Sequence, residues 1–460
     1  MDVLSVLETK IRKKNYLPKE RYERLLDYLR LEKSSLETQD ISELLDISIP
    51  TTYKLIDLME KDRCLIRGKS KVTINSEYYT IIGISIGTTL CKVSFIDFSY
   101  QRFNNDRFYA HKIALYKKVK TIIEEQNKED ELLEKCIDEK EAREYLFFHT
   151  PEDFKTLKNI LNQIFDYIKT QSESEKLHVI SIGISCTGLI NNQIEMIMES
   201  NNLRYLEHCG LDTLMYPDKR DFFAKEDIHV CLLQNCDASA IAEKVYLFST
   251  NNKNRYRNHR NDHNIITLYL EYGIGAGLYL NQLYSGANGY SGEIGHFSAP
   301  IHSDLEDKII REQNIVINKT DCCTCGNTDC FDFKIRKYCF NNIAESMKKD
   351  FKDCSAREIN TFLKEHPDNA KLLGEYLGDI VNILTGLMDV DAIIFTGKIA
   401  KSEECLQNAI ANIQDQSKLR YSRNDCTLIF SEIASSAPSI GAALYSYKHK
   451  YHLEYKWEAE

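Results

Sequence analysis

The chain has 460 residues, 43% of them hydrophobic, and a formal charge of -10 at neutral pH. That length exceeds what one compact core holds, so two or three packed units are expected. The acidic balance excludes a protein that coats nucleic acid nonspecifically, while leaving room for a small basic module on an acidic body.

No run approaches the roughly 20 uncharged apolar residues of a membrane helix, and the opening residues lack the apolar core of a secretory signal. The chain therefore reads as a soluble cytoplasmic protein with no membrane partner. Fifteen cysteines in such a chain read as reduced thiols, with one local exception: four fall between Cys322 and Cys330.

From Met1 to about Glu77 the pattern predicts short helices and then a hairpin. Asp40 offers an N-cap to a helix whose Ile41, Leu44 and Leu45 share one face. Ser48, Ile49 and Pro50 lead into a second helix, where Pro50 suits the first turn and Leu55, Ile56 and Met59 face inward. Thr51, Thr52, Tyr53 and Lys54 are then left near its exposed start, the part that meets base edges and phosphates in helix-turn-helix proteins. Two β-rich runs, Cys64–Arg67 and Val72–Ile74, flank Gly68-Lys69-Ser70-Lys71. Such a hairpin would lay Arg67, Lys69 and Lys71 along a DNA backbone as a wing. The plain alternative is a helical protein-interaction module; the basic hairpin favours DNA.

Tyr79 to Ile86 opens a buried-strand pattern. Further β-rich runs at His178–Ile184, Ile228–Leu233, Ile265–Leu270, Ala392–Phe395 and Thr427–Phe430 alternate with helical stretches, an α/β signature. Lys117–Glu144 and Asn251–Asn264 read as insertions or solvated loops. Cys323, Cys325 and Cys330 place three thiols in one tight loop, and three soft ligands leave a tetrahedral zinc one short. His296 is the candidate fourth ligand. Cys322 adjoins Cys323 and competes with it in principle; motif spacing favours Cys323.

The run Gly289-Tyr290-Ser291-Gly292-Glu293-Ile294-Gly295-His296, followed by C-x-C-G-x-x-x-C-x-D from Cys323 to Asp332, resembles the ROK family of sugar kinases and sugar-responsive repressors. Gly183–Asn191 is similar to that family's substrate-side glycine motif and Tyr272–Leu278 to its second glycine loop. Ala392–Gly397 is similar to its nucleotide-side strand and turn, and Ser439–Ala443 to its closing helix.

The resemblance covers nearly everything after about residue 78. It implies an α/β protein with an actin-like (ribonuclease H-like), two-lobed fold. Residues 1–77 would be a winged helix-turn-helix DNA-binding domain, 78–200 with 432–460 the first lobe, and 201–431 the second lobe, with zinc and sugar sites. It also implies sugar contacts at Gly188, Asn202, Gln234, Asn235, Glu293, His296 and Asp332, the last standing where relatives usually carry glutamate. His296 would bind a structural Zn2+ through one ring nitrogen and sugar through the other.

Active relatives carry an aspartate in an Asp-x-Gly-x-Thr phosphate motif, where this chain has Ser85. They carry a catalytic base where this chain has Asn235, and an amide takes no proton from a sugar hydroxyl. Glu271-Tyr272 replaces Gly-Thr ahead of the second glycine loop, setting a carboxylate where phosphate would approach backbone amides. Asp237, two residues past Asn235, would serve as base only with the strand end remodelled.

The expected protein is thus no enzyme. It is a homodimer or homotetramer that binds a double-stranded operator, responds to a sugar or sugar phosphate, and represses genes of carbohydrate uptake or catabolism. The alternatives are a ROK-type kinase of a hexose or amino sugar with a regulatory appendage, and a zinc-stabilised scaffold that binds neither DNA nor sugar.

Overall fold

The apolar runs read above are strands in the structure, a computed structural model that describes residues 19–32, 35–100, 106–124, 145–191, 194–249, 264–318, 320–416 and 426–450. Of the two expected surface segments, 125–144 and 251–263 lie outside the described residues. Among those described, 19–235, 245–249 and 439–450 form one unit, and the stretch 236–244 with 264–438 the other.

The first unit opens with α1 (Lys19–Glu32), β1 (Leu36–Glu37), α2 (Thr38–Leu45), α3 (Ile49–Lys61), β2 (Leu65–Arg67) and β3 (Lys71–Ile74). The expected hairpin is β2–β3, and β1 adds a third antiparallel strand through Leu36 opposite Val72. Leu25, Leu26, Ile41, Leu45, Leu55, Ile56 and Met59 are all buried, so three amphipathic helices share one small core. Asp40 is not the cap of α2: Glu37 is, and Asp40 is the third helical residue, its carboxylate accepting the Glu37 N–H at 2.9 Å. Either position suits a carboxylate, because both answer an orphan donor at a helix start. Ser48 caps α3, its Oγ accepting the Thr51 N–H at 3.4 Å.

The unit continues with β4 (Tyr79–Ile86), β5 (Leu90–Asp97), α4 (Asp106–Glu124), β6 (Tyr145–His149), α5 (Phe154–Glu173) and β7 (His178–Cys186). A small hairpin, β8 (Leu189–Asn191) and β9 (Met196–Glu199), precedes α6 (Pro217–Lys225), β10 (His229–Gln234) and α7 (Asn235–Ser249), whose stretch 236–244 belongs to the second unit. The stretch from Lys117 to Glu124 is not an insertion, since it continues α4 and buries Val119 and Ile122. The expected break at residue 200 falls at 235 instead. Strand β10 pairs in parallel with β7, His229 opposite Ser181 through Gln234 opposite Cys186, which binds the intervening chain to this unit.

The second unit contains β11 (Ile265–Leu270), β12 (Ile274–Leu280), β13 (Gln282–Tyr284), α8 (Ser303–Glu312), α9 (Phe331–Lys334), α10 (Ala356–Glu365) and α11 (Pro367–Met388). Then come β14 (Ala392–Thr396), α12 (Glu403–Gln416), β15 (Thr427–Phe430) and α13 (Ala437–Lys450), most of which belongs to the first unit. The two main sheets have one connectivity. In order β6-β5-β4-β7-β10 and β13-β12-β11-β14-β15, three antiparallel strands are extended by two parallel ones. Each sheet is a mixed α/β layer with its own apolar core.

Helix α13 lies hard against β4 and β7. A methyl group on Gly83 would come within 1.7 Å of the Ser439 carbonyl oxygen, and one on Gly183 within 1.8 Å of that of Ala442. Only glycine permits that approach. Among the described residues no helix is long and apolar enough to cross a membrane.

Candidate metal centre and ligand-binding residues

The loop after α8 folds back so that the ligand atoms of His296, Cys323, Cys325 and Cys330 all lie within 4.8 Å of one another. The turn is closed by backbone bonds from Cys323 N–H to Asn327 O at 2.8 Å and from Gly326 N–H to Cys323 O at 2.9 Å. Cys323 Sγ is 3.6 Å from His296 Nδ1, and Cys325 Sγ is 3.7 Å from Cys330 Sγ. A tetrahedral ion with Zn–S near 2.3 Å and Zn–N near 2.05 Å requires about 3.6 Å for S···N and about 3.8 Å for S···S. The four residues therefore fit such an ion; Cys322 is exposed and not among them.

The electrostatics agree with a ligand set. A hydrogen bond from Cys330, and after burial's opposing pull one with His296, hold the Cys323 thiol far below its ordinary range. The Cys323 sulfur in turn pushes His296 up to about 9. A metal held by these residues would take over that stabilisation of thiolate and would need the His296 nitrogen facing Cys323 unprotonated.

Three acids and bases surround the centre. His296 turns Nδ1 to Cys323 and Nε2 toward Glu293, whose carboxylate is 3.7 Å away. Asp332, on α9 just past Cys330, is buried and accepts the Ile274 N–H at 2.7 Å. Burial pushes its carboxyl up to about 6, against the pull of Arg336. Arg336 escaped the sequence reading, although it stands one helical turn beyond Asp332. Its guanidinium donates to the Asp332 carbonyl at 3.1 Å, to the Tyr272 hydroxyl at 3.3 Å and to Cys323 Sγ at 3.4 Å.

In the first unit, Gly188 adopts φ 111° after β7, Gln234 ends β10 and Asn235 begins α7. Gln234 and Asn235 are buried, while Asn202 is exposed. Asn235 Nδ2 donates to the Ile86 carbonyl at 3.1 Å, and Ser85 is buried within β4. Asp237, in the second unit, accepts the Ser285 hydroxyl.

At the second glycine loop, the Glu271 carboxylate accepts the Lys398 N–H at 3.0 Å, just after the Gly397 turn. The Lys398 ammonium is buried and donates to the carbonyls of Phe351, Lys352 and Cys354 at 3.0, 2.9 and 3.4 Å. Burial lowers its pKa. Tyr272 lies beneath Arg336, whose guanidinium is 5.1 Å from the ring centroid.

Of the expected DNA contacts, Tyr53 (49% exposed), Lys54, Lys69 and Lys71 face solvent and Thr51 is half-buried. Thr52 does not: it is 0% exposed and its hydroxyl donates to the Ser48 carbonyl at 3.2 Å. On α3 it shares the inward face with Leu55, Ile56 and Met59, a period that its polarity hid. Arg67 is ion-paired to Asp57 and, at 3.3 Å, to Glu60, so its charge is already engaged.

Residues 135–448 match the ROK family. The chain is 24% identical over 294 residues to the xylose repressor of Bacillus subtilis (strain 168), covering 62% of this chain and 65% of that protein. It is 21% identical over 313 residues to the xylose repressor of Caldicellulosiruptor bescii, covering 66% and 60%. The match thus spans less than two thirds of the length of each of these relatives. A crystal structure of a ROK family transcriptional regulator, a homolog of the E. coli MLC protein, superposes with a TM-score of 0.59 at 14% identity, covering 93% of this chain and 98% of that one. A putative sugar kinase from Cytophaga hutchinsonii gives 0.50 at 14% identity, covering 79% and 98%. Since the family match takes in well over half of the sequence, and its fold recurs in both of those structures, the chain belongs to the ROK family.

Proposed function

We propose that the chain is a sugar-responsive transcriptional regulator. Its first 77 residues act as a winged helix-turn-helix, and its kinase-like body senses ligand without catalysing phosphoryl transfer. The observation that carries this reading is the start of α3, where Tyr53 and Lys54 face solvent ahead of a hairpin bearing exposed Lys69 and Lys71. Phenol and ammonium groups there suit base edges and phosphates.

The sugar-binding set is Gly188, Asn202, Gln234, Asn235, Glu293, His296 and Asp332. Carboxylates such as Glu293 and Asp332 accept hydrogen bonds from vicinal hydroxyls, each of which offers one proton in a fixed direction. A zinc ion held by His296, Cys323, Cys325 and Cys330 would supply a fixed charge that sets the tautomer of the ring. His296 Nε2 then stays a donor beside Glu293. D-xylose is the first ligand to try, because two similar repressors carry its name.

Loss of catalysis is supported by Asn235 and Ser85, neither of which carries a charge, and by Glu271, whose carboxylate already occupies the Lys398 N–H. The assembly is a cytoplasmic homodimer or homotetramer in which ligand changes the spacing of two DNA-reading modules through differential affinity for two states.

The test is to capture sheared genomic DNA on the purified protein at moderate salt, with and without D-xylose and a pool of other sugars, and to sequence what is retained. Enrichment of a two-fold symmetric site that sugar alters is expected. No enrichment in either condition, with sugar-dependent ADP release from ATP and magnesium, would establish the kinase instead.

A further inference from the structure

A buried ionic cluster inside the first unit joins α1 to α13. Arg30, at the end of α1, has a side chain only 3% exposed, and it meets Asp27 Oδ1 at 2.9 Å and Glu23 Oε2 at 3.5 Å. Its Nε donates to the Phe98 carbonyl, at the end of β5, at 3.1 Å. The guanidinium lies 4.0, 4.8 and 5.2 Å from the ring centroids of Tyr100, Phe98 and Tyr447. From α13, Lys448 Nζ reaches Asp27 Oδ2 at 2.9 Å and Glu23 Oε2 at 3.6 Å, and the Tyr447 hydroxyl donates to Glu23 Oε1 at 2.8 Å. Lys448 is 4% exposed. Burial works hardest against its charge, but Asp27, Tyr100 and Glu23 together outweigh burial and hold its pKa above the ordinary lysine range.

Two cations and Glu23 therefore sit out of water, with half-buried Asp27 completing a balanced set of charges. Such a cluster is weak as glue, because desolvation consumes much of the attraction, but it is exacting about geometry: separating either half leaves charge buried and unmatched. A reading head that swung freely on a linker would instead place polar, water-filled surface here.

Both ends of the cluster are fastened. Within the amino-terminal segment, the Tyr22 hydroxyl donates to Cys64 Sγ at 2.9 Å, and Leu25 and Leu26 enter the core shared with α2 and α3. On the other side, Ser439 and Ser446 of α13 bond Ser94 at 2.7 Å and Ser181 at 2.9 Å, in addition to the close approach at Gly83 and Gly183. Helix α13 begins at Ala437 in the second unit and passes into the first after Pro438, and the second unit carries Glu293, His296 and Asp332.

We propose that Glu23, Asp27 and Arg30 form with Phe98, Tyr447 and Lys448 a latch that makes α1, and with it the DNA-reading start of α3, one rigid body with α13. The ligand state of the sensing body reaches DNA through the carboxy-terminal helix. The DNA end of this proposal rests on the regulator reading; its mechanical end rests on the contacts alone.

The experiment compares full-length wild type with Lys448→Met, Lys448→Arg and Tyr447→Phe. Amide hydrogen exchange is read in α1 and, as internal reference, in β4 and β7. Losing one partner of the buried cluster should speed α1 exchange in Lys448→Met roughly a hundredfold, leaving β4, β7 and zinc content unchanged. Lys448→Arg, which keeps the charge, should stay within a few-fold of wild type. Tyr447→Phe, a change small enough to fold if Lys448→Met does not, should give a roughly fivefold effect.

Unchanged α1 exchange in both Lys448→Met and Tyr447→Phe overturns the latch, as does an equal rise in β4 and β7. In the second arm, sheared genomic DNA is captured with and without D-xylose and the sugar pool. Lys448→Met should still retain DNA but lose the sugar response that wild type shows; a normal response in that variant overturns the latch as the signal route. Wild type that retains no DNA overturns the regulator reading, and the exchange arm alone then decides the latch.

Discussion

A methyl group on Gly295 would lie 2.7 Å from Asp332 Oδ1 and 2.3 Å from the Ile274 carbonyl oxygen, so the buried carboxylate and its neighbouring strand require a glycine there. Gly295→Ala should force apart the wall that carries Asp332. We expect a loss of about 1–3 kcal/mol in stability, typical of overpacking, together with loss of any sugar-induced rise in melting temperature. Thermal unfolding with and without D-xylose reads both, and an unaltered melting temperature would contradict the packing.

Cys325→Ser removes one of four ligand atoms from the metal centre. Zinc bound per chain, measured by mass spectrometry of the metal, should fall from one to a small fraction, and the melting temperature should fall with it. A metal-free variant that kept its full response to sugar would separate the metal from ligand sensing.

If Lys54, Lys69 and Lys71 meet phosphates, each change to alanine should weaken DNA binding and reduce the slope of log affinity against log salt by about one. Thr52→Val offers the contrast. With Thr52 buried, it should leave the salt slope alone and act, if at all, on stability. A slope that is unchanged in all three lysine variants would remove this face from the DNA contact.

His302 has its pKa raised first by its hydrogen bond to Asp379, at 2.7 Å, against the pull of burial. The folded state thus holds the proton more tightly than the unfolded chain. Its contribution to stability is complete below the unfolded pKa near 6.5 and disappears as pH rises through the higher folded value. Melting temperature followed from pH 6 upward should decline more in wild type than in Asp379→Asn; parallel curves would deny the coupling.

Restoring a carboxylate by Asn235→Asp should not create a kinase. Ser85 still lacks the charge of the phosphate motif, and Glu271 still fills the Lys398 amide. A coupled assay for ADP with a panel of sugars should stay at background, and clear sugar-dependent turnover in this single variant would mean the phosphate side is intact.

What could be read in advance was what short spacing encodes. Strands β4, β7, β10, β11, β14 and β15 follow from apolar runs whose ends the structure moves by only one or two residues, whereas β5, β6, β8, β9, β12 and β13 were not read; the cysteine loop folds on itself within eight positions. Thr52 shows where polarity misleads: its hydroxyl is satisfied by the preceding turn, which lets a polar residue sit on a buried face. Longer-range facts were out of reach. The doubled sheet connectivity has no counterpart in a short sequence period, and the boundary at 235 depends on β10 finding β7. Nor does anything near Glu271 announce Lys398, which lies 127 positions away.

The bond between Glu23 and Tyr447 spans 424 positions, so α1, the first helix among the described residues, waits for α13, the last of them. At about 5–20 residues per second, a ribosome needs roughly 20–90 seconds to supply that partner. Until then Arg30 has, besides its carboxylates, only the Phe98 carbonyl and the rings of Phe98 and Tyr100 beside it, and those carboxylates lack Lys448 and the Tyr447 hydroxyl. The seat of α1 is therefore complete only once α13 has been made, so the pose of the amino-terminal segment is settled late in synthesis.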